Sequence, residues 1–238
     1  MSAASTLQPV AEDLWLVDAP QRFFGFEIGT RMTVVRLSTG GLWLCSPVTI
    51  DDALAEALAA LGPVEHIVGP NRFHHLYLGP ARERFPDAKL HLAPGLGDKR
   101  PDLTGAQALT ATAPAAWASD LDQCVLEGVP TFNEVAFLHR ATRTLVLTDH
   151  LFHLDGSVGT ASTRLLGRLL GVHKAPGFPR DARYAFVKDK AALAASMQRV
   201  LTWDFDRVVL CHGRCVERDG RATLERAYAD LLSALPSG

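Results

Sequence analysis

The stretch Glu65-His66-Ile67-Val68-Gly69-Pro70-Asn71-Arg72-Phe73-His74-His75-Leu76-Tyr77-Leu78 decides how the chain is read. A short apolar run closed by Gly-Pro predicts a buried strand. A helix is expected from about Leu78 to Phe85. Between them lie two adjacent histidines. Neutral imidazoles suit Zn, Fe, Ni or Cu, and they exchange protons near neutral pH. Vicinal side chains point apart, so only a turn can bring both to one ion, and this place offers one. The plainer alternative is a pair of ordinary polar residues at a helix start. Two later strands end the same way: Thr144-Leu145-Val146-Leu147-Thr148-Asp149-His150 and Arg207-Val208-Val209-Leu210-Cys211-His212-Gly213. Three apolar strands that each run into Asp or His are the strongest functional signal in the sequence.

Outward from this stretch, strands are predicted at 14–18, 32–37 and 42–46, with Ser38-Thr39-Gly40-Gly41 as a hairpin turn. The segment 19–25 is expected to be a loop. The period then changes. Thr49 is a candidate cap, Asp51 and Asp52 suit a first helical turn, and Leu54, Ala57, Leu58 and Leu61 recur at helical spacing. A short strand follows at 89–92. Residues 93–120 read as a long loop with a short helix near 96–100. Strands are expected at 123–126, 134–138, 144–148 and 207–211, and helices at 163–171, 188–203 and 223–235, the last stopped by Pro236. Each half moves from a β-meander into β/α units. That order suggests two sheets face to face with helices outside, in a single domain over 1–238.

Composition sets limits. Hydrophobic residues make up 47% of the 238, enough for a sizeable core and against disorder. With 24 basic and 26 acidic residues the formal charge is −2, which argues against a nucleic-acid partner. Four irregularly spaced cysteines form no disulfide framework or zinc ribbon. Neither a signal peptide nor a membrane-length apolar run is read, so the expectation is a soluble cytoplasmic protein. The expected partner is a small-molecule substrate or ligand, with a homodimer as the assembly to test.

Several groups carry two readings. Asp149 suits a helix cap as well as a metal. His150 and His153 follow it, the latter among apolar neighbours. Cys211 reads as a core residue and Cys215 as a loop thiol. Arg164, Arg168, Lys174, Arg180, Arg183 and Lys188 form a basic run opposed only by Asp181. They read either as a solvated face or as a rim for an anionic substrate, with Arg164 and Arg168 as its binding residues. Residues 167–179, rich in Gly and Pro, read as a mobile flap. Phe23, Phe24 and Phe26 could face a substrate or pack in the core.

Three segments, PNRFHHLYLG (70–79), NEVAFLHRATRTLVLTDHLF (133–152) and VVLCHG (208–213), resemble the DUF4336 branch of the metallo-β-lactamase fold superfamily. The resemblance implies an α/β (α+β) fold, a four-layer αββα sandwich with one or two metals at the edge of the sheets, and hydrolysis of an ester, thioester, lactam or phosphoester. It is incomplete. The superfamily's first motif is His-x-His-x-Asp-His, and its two leading histidines fall here on Pro70 and Arg72, or on Asn71 and Phe73. The turn 127–133 also lacks the expected histidine. What survives implies at most one divalent metal, held by His75, Asp149 and His212 with His74 as fourth ligand or behind them. Zn is the default ion, with Fe or Mn as alternatives. Asp149 and His150 are candidates to move a proton, Asn71 to contact substrate, and Asn71, Glu134 and His150 to orient the ligands. A catalytically degenerate member that only binds a ligand or partner is the alternative.

Overall fold

The structure is a computed structural model that describes residues 6–157 and 160–233. The first half runs β1 (Leu7–Ala11), β2 (Leu14–Ala19), β3 (Arg22–Phe23), β4 (Phe26–Glu27), β5 (Thr30–Arg36), β6 (Leu42–Cys45), α1 (Asp52–Ala59), β7 (Val64–Gly69), α2 (Leu78–Arg84), β8 (Lys89–Leu92), α3 (Leu96–Lys99) and β9 (Gln107–Ala108). The second half runs β10 (Leu121–Val125), β11 (Val135–His139), β12 (Thr144–Leu147), α4 (Ala161–Leu170), a π-helical turn (Ala182–Phe186), α5 (Lys190–Leu201), β13 (Arg207–Leu210), α6 (Gly220–Ala227) and α7 (Ala229–Leu232).

One sheet has the order β1-β2-β5-β6-β7-β8-β9 and the other β10-β11-β12-β13. Pairing is antiparallel at the meander ends of the sheets. It is parallel where helices intervene, at β6-β7-β8-β9 and β12-β13. Alternation within each strand sorts the layers. Trp43, Cys45 and Val68 face Phe137, Val146 and Val209 across the gap between the sheets. Their strand neighbours Leu42, Leu44 and Ile67 turn outward to α1 and α2. Leu138, Leu145 and Leu210 likewise turn outward to Leu193, Met197 and Leu224 of α5 and α6. The result is the expected αββα sandwich.

The local differences have causes. The strand Leu7–Ala11 was not among those expected; it lies at the sheet edge, where its Pro9 is tolerated. The segment read as a loop over 19–25 holds the hairpin β3–β4, whose two-residue turn, Phe24-Gly25, has positive φ at both positions (46° and 84°). Helix α4 begins two residues early, because the Thr163 hydroxyl reaches back to the Thr160 amide. The C-terminal helix is interrupted at Tyr228, whose hydroxyl is fully buried against His150. Its expected end at Leu235 and stop at Pro236 lie outside the described residues. The expected flap is instead tied down. Phe152 and Gly177 exchange backbone hydrogen bonds, and the Leu154 amide donates to Val172 O. No helix among the described residues is long and apolar enough to cross a membrane.

Candidate metal centre

The three strand ends meet at one edge of the sandwich. The turn after β7 supplies His74, the end of β12 supplies Asp149, and the end of β13 supplies His212. His74 Nε2 lies 3.4 Å from Asp149 Oδ2, and His212 Nε2 lies 3.3 Å from Asp149 Oδ1. One donor atom from each residue falls within 4.8 Å of the others. Each ring is fixed through its other nitrogen. His74 Nδ1 is 2.5 Å from Ser46 Oγ, and His212 Nδ1 donates to Gly29 O at 2.8 Å. A carbonyl oxygen only accepts, so His212 Nδ1 must carry a proton. Its Nε2 then faces a carboxylate oxygen, a contact that is favourable when a proton or a cation lies between them. Two imidazoles oriented through Nδ1 plus one carboxylate are a donor set that fits a divalent metal.

The backbone beneath is built for this. Asn71 is fully buried. Its side-chain amide donates to Asp149 Oδ2 at 2.6 Å and to Thr148 Oγ1 at 2.7 Å, while its Oδ1 accepts from the Phe73 and His74 amides. It therefore clamps the histidine turn to the aspartate strand. Glu134 is also fully buried and accepts from the backbone amides of Thr148, Asp149 and His150. Burial and then the charge of Asp149 push its carboxyl up to about 7, against those donors. For Asp149 burial acts upward too. The charges of His74 and His212 and their hydrogen bonds overcome it and hold the carboxyl well below the usual range. Gly213 (φ 88°) leaves room beside His212, since a Cβ there would lie 2.0 Å from His153 O. Arg31, on β5, is buried, pairs with Asp18 and donates to Leu210 O and Gly213 O, gripping both sides of His212.

Several expected roles need correction. His75 is not in the cluster: Arg100 donates to its carbonyl at 2.7 Å and stands 3.3 Å from its Nδ1. Its expected place beside Asp149 belongs to His74. His150 was expected to move a proton, but its ring stacks on Phe178 (5.1 Å, 3°) in the core, and its Nδ1 meets Tyr228 Oη. Burial pushes it down to about 3 despite nearby Asp149, and the ring has no exposed surface. Asn71 has no surface for substrate and is the clamp. Arg164 and Arg168 project to solvent, and the residues of α4 that line the cleft are Leu166 and Leu170. The basic rim is therefore absent from the wall among the described residues. Sequence reasoning missed Ser46, Gly29 and Arg31. Ser46 had a usable signal, since it too ends an apolar strand next to β7.

The cluster lies on the wall of a cleft of about 800 Å³ that the β3–β4 hairpin, α4 and the π-helical turn enclose. Phe23, Phe24 and Phe26 line it, so they do not serve as packing for the first meander.

This fold is that of the metallo-β-lactamases. A metallo-β-lactamase from Pontibacter korlensis superposes with a TM-score of 0.64 at 14% identity, covering 97% of this chain and 100% of that one. The DIM-1 metallo-β-lactamase gives 0.67 at 13%, with 99% and 100% covered. FIM-1 from Pseudomonas aeruginosa, solved in a mono-zinc form, gives 0.65 at 13%, with 98% and 96% covered. Within this fold the chain belongs to the family described as Domain of unknown function (DUF4336), whose model matches residues 11–164. No curated protein matches the sequence.

Proposed function

We propose that this protein is a hydrolase of an ester, thioester or phosphoester that works with one divalent ion held by His74 Nε2, Asp149 and His212 Nε2. The observation that carries the reading is the convergence of His74 Nε2 and His212 Nε2 on the two Asp149 oxygens, with one donor atom from each residue within 4.8 Å of the others and each ring fixed through its other nitrogen. Zinc is the default, and iron or manganese accept the same donors. FIM-1, solved with one zinc, is a neighbour of this fold, which supports a single-ion arrangement here. Bound at this place, such an ion supplies Lewis-acid chemistry to a hydrolysis. The chain's own residues hold and orient. Ser46 and Gly29 fix the two rings, Asn71 and Glu134 fix the carboxylate, and the cleft receives the substrate.

One observation favours a binding module without turnover. The turn after β7 and the turn before β11 do meet, through the Arg72 amide on Phe132 O and Arg72 Nη1 on Pro130 O. What they bring together is aromatic: the rings of Phe73 and Phe132 stand 5.4 Å apart where the superfamily resemblance would place histidines. Elemental analysis of protein purified without chelators, followed by a panel of esters, thioesters, lactams and phosphodiesters, separates the readings. About one ion per chain with chelator-sensitive turnover is expected. Metal without turnover favours the binding module. Folded protein with no stoichiometric metal overturns both the ion and the hydrolase.

A further inference from the structure

Resting on that reading, we infer that the substrate is an uncharged acyl ester or thioester whose apolar chain fills the cleft between the β3–β4 hairpin and α4. Phe23, Phe24, Phe26, Leu166, Leu170 and Phe186 form its walls. A cleft of about 800 Å³ is within the size range of pockets that take drug-sized ligands. Charge is scarce on this wall. Apart from the cluster it carries Lys99 and Asp181, one of each sign. Lys99 donates to Arg72 O at 2.8 Å and stands over the Phe73 ring at 5.2 Å. A phosphate or carboxylate head therefore meets one lysine, offset by Asp181, and no cluster of cations on the wall itself.

The hairpin is shaped for an apolar guest. Phe24 is 87% exposed at φ 46°, a backbone region that disfavours a bulky side chain. Strained backbone of this kind clusters where ligands are gripped. Phe23 lies against Phe24 (4.5 Å) and Phe73 (6.4 Å), so an aromatic rail runs from the tip toward His74. On α4 the half-buried Leu166 and Leu170 face the cleft, and Leu165 and Leu169 beside them are exposed at 53% and 64%. The apolar stripe therefore continues out of the mouth. Hydrolysis of such a substrate breaks the acyl–oxygen or acyl–sulfur bond. Water gives its hydroxyl to the acyl carbon and its proton to the leaving alcohol or thiol, and no further co-reactant is consumed.

The test is calorimetric titration of the full chain, before and after metal depletion, with straight-chain primary amides from butanamide to octanamide and with octyl phosphate. Affinity is expected to tighten about fourfold per methylene, the value for burying one CH₂. The slope should be the same without metal, and octyl phosphate should bind metal-depleted protein no more tightly than octanamide. Leu166→Glu should flatten the slope at unchanged metal content, with Leu170→Gln as a second wall variant whose fold is checked by circular dichroism. A flat series in the native protein overturns the inference. So does octyl phosphate binding metal-depleted protein more tightly than octanamide does. Because the slope is read without metal, its failure is distinct from failure of the metal centre.

Discussion

Two histidine pairs stand in this molecule at nearly the same ring spacing, 5.4 Å for His74 and His212 and 5.2 Å for His66 and His91. In the first, each ring is held through Nδ1 and both Nε2 atoms face the Asp149 carboxylate at the cleft. In the second, His66 Nδ1 meets His91 Nε2 directly at 3.1 Å, and the rings stand edge-on to buried Trp117 between the sheets. Burial, and then the neighbouring His66, push His91 down to about 4, so that pair stays neutral. The contrast teaches that spacing between imidazoles does not make a metal site. What distinguishes the proposed site is the carboxylate between the rings and the cleft that opens on it.

The sharpest way to break this comparison is Asp149→Ala. A ligand costs at least what its orienting partners cost, so metal affinity should fall by about 100-fold or more, while His91→Ala leaves metal content unchanged. Mass spectrometry of the intact protein reads both, and a matching loss in His91→Ala would end the distinction. Next comes Glu134→Gln, which replaces one acceptor oxygen by an amide nitrogen and so opposes either the Thr148 amide or the pair from Asp149 and His150. It should lower stability by about 3 kcal/mol in denaturant titration. An unchanged midpoint would mean that the turn over 148–150 holds without the carboxylate.

Acid probes the second pair. Between about 4 and the ordinary histidine value near 6.5, native His91 binds fewer protons than unfolded His91. Its contribution is therefore complete above about 6.5 and is lost as the pH falls toward 4. Relative to the wild type, His91→Phe should gain about 2 kcal/mol between pH 7 and pH 4.5. Parallel stability curves for the two proteins would refute this. The smallest effect is expected from Ser46→Ala, which frees His74 Nδ1. It should weaken metal binding about tenfold, with thermal stability nearly unchanged.

How much of this was legible depended on the kind of information. Periodicity found the three strands and put Asp149 and His212 just past their ends, and so located the site. It also put His66 and His91 inside strands, although it gave no sign that the two rings meet. It could not choose between His74 and His75, since that choice is made by contacts from distant segments: Ser46 and Asn71 on one side, Arg100 on the other. The basic run misled for a related reason. Leucines and arginines alternate around α4, and the rotation of the helix against the sheets, not its composition, decides which of them line the cleft. The hairpin at Phe24-Gly25 was hidden because its strands are two residues long and its turn places a phenylalanine where asparagine or glycine is usual.

Arg31 gives the site one further property. It leaves β5 in one sheet and holds the carbonyls of Leu210 and Gly213 around the end of β13 in the other, while Asn71 joins the turn after β7 to the end of β12. The cluster thus spans the seam of the sandwich, and its distances are a gauge of how the two halves are docked. A chain whose sheets have formed but not yet closed on each other has all of its ligands and none of its site. The ability to capture an ion should therefore arrive at the last step of folding and be the first property lost when the halves begin to part.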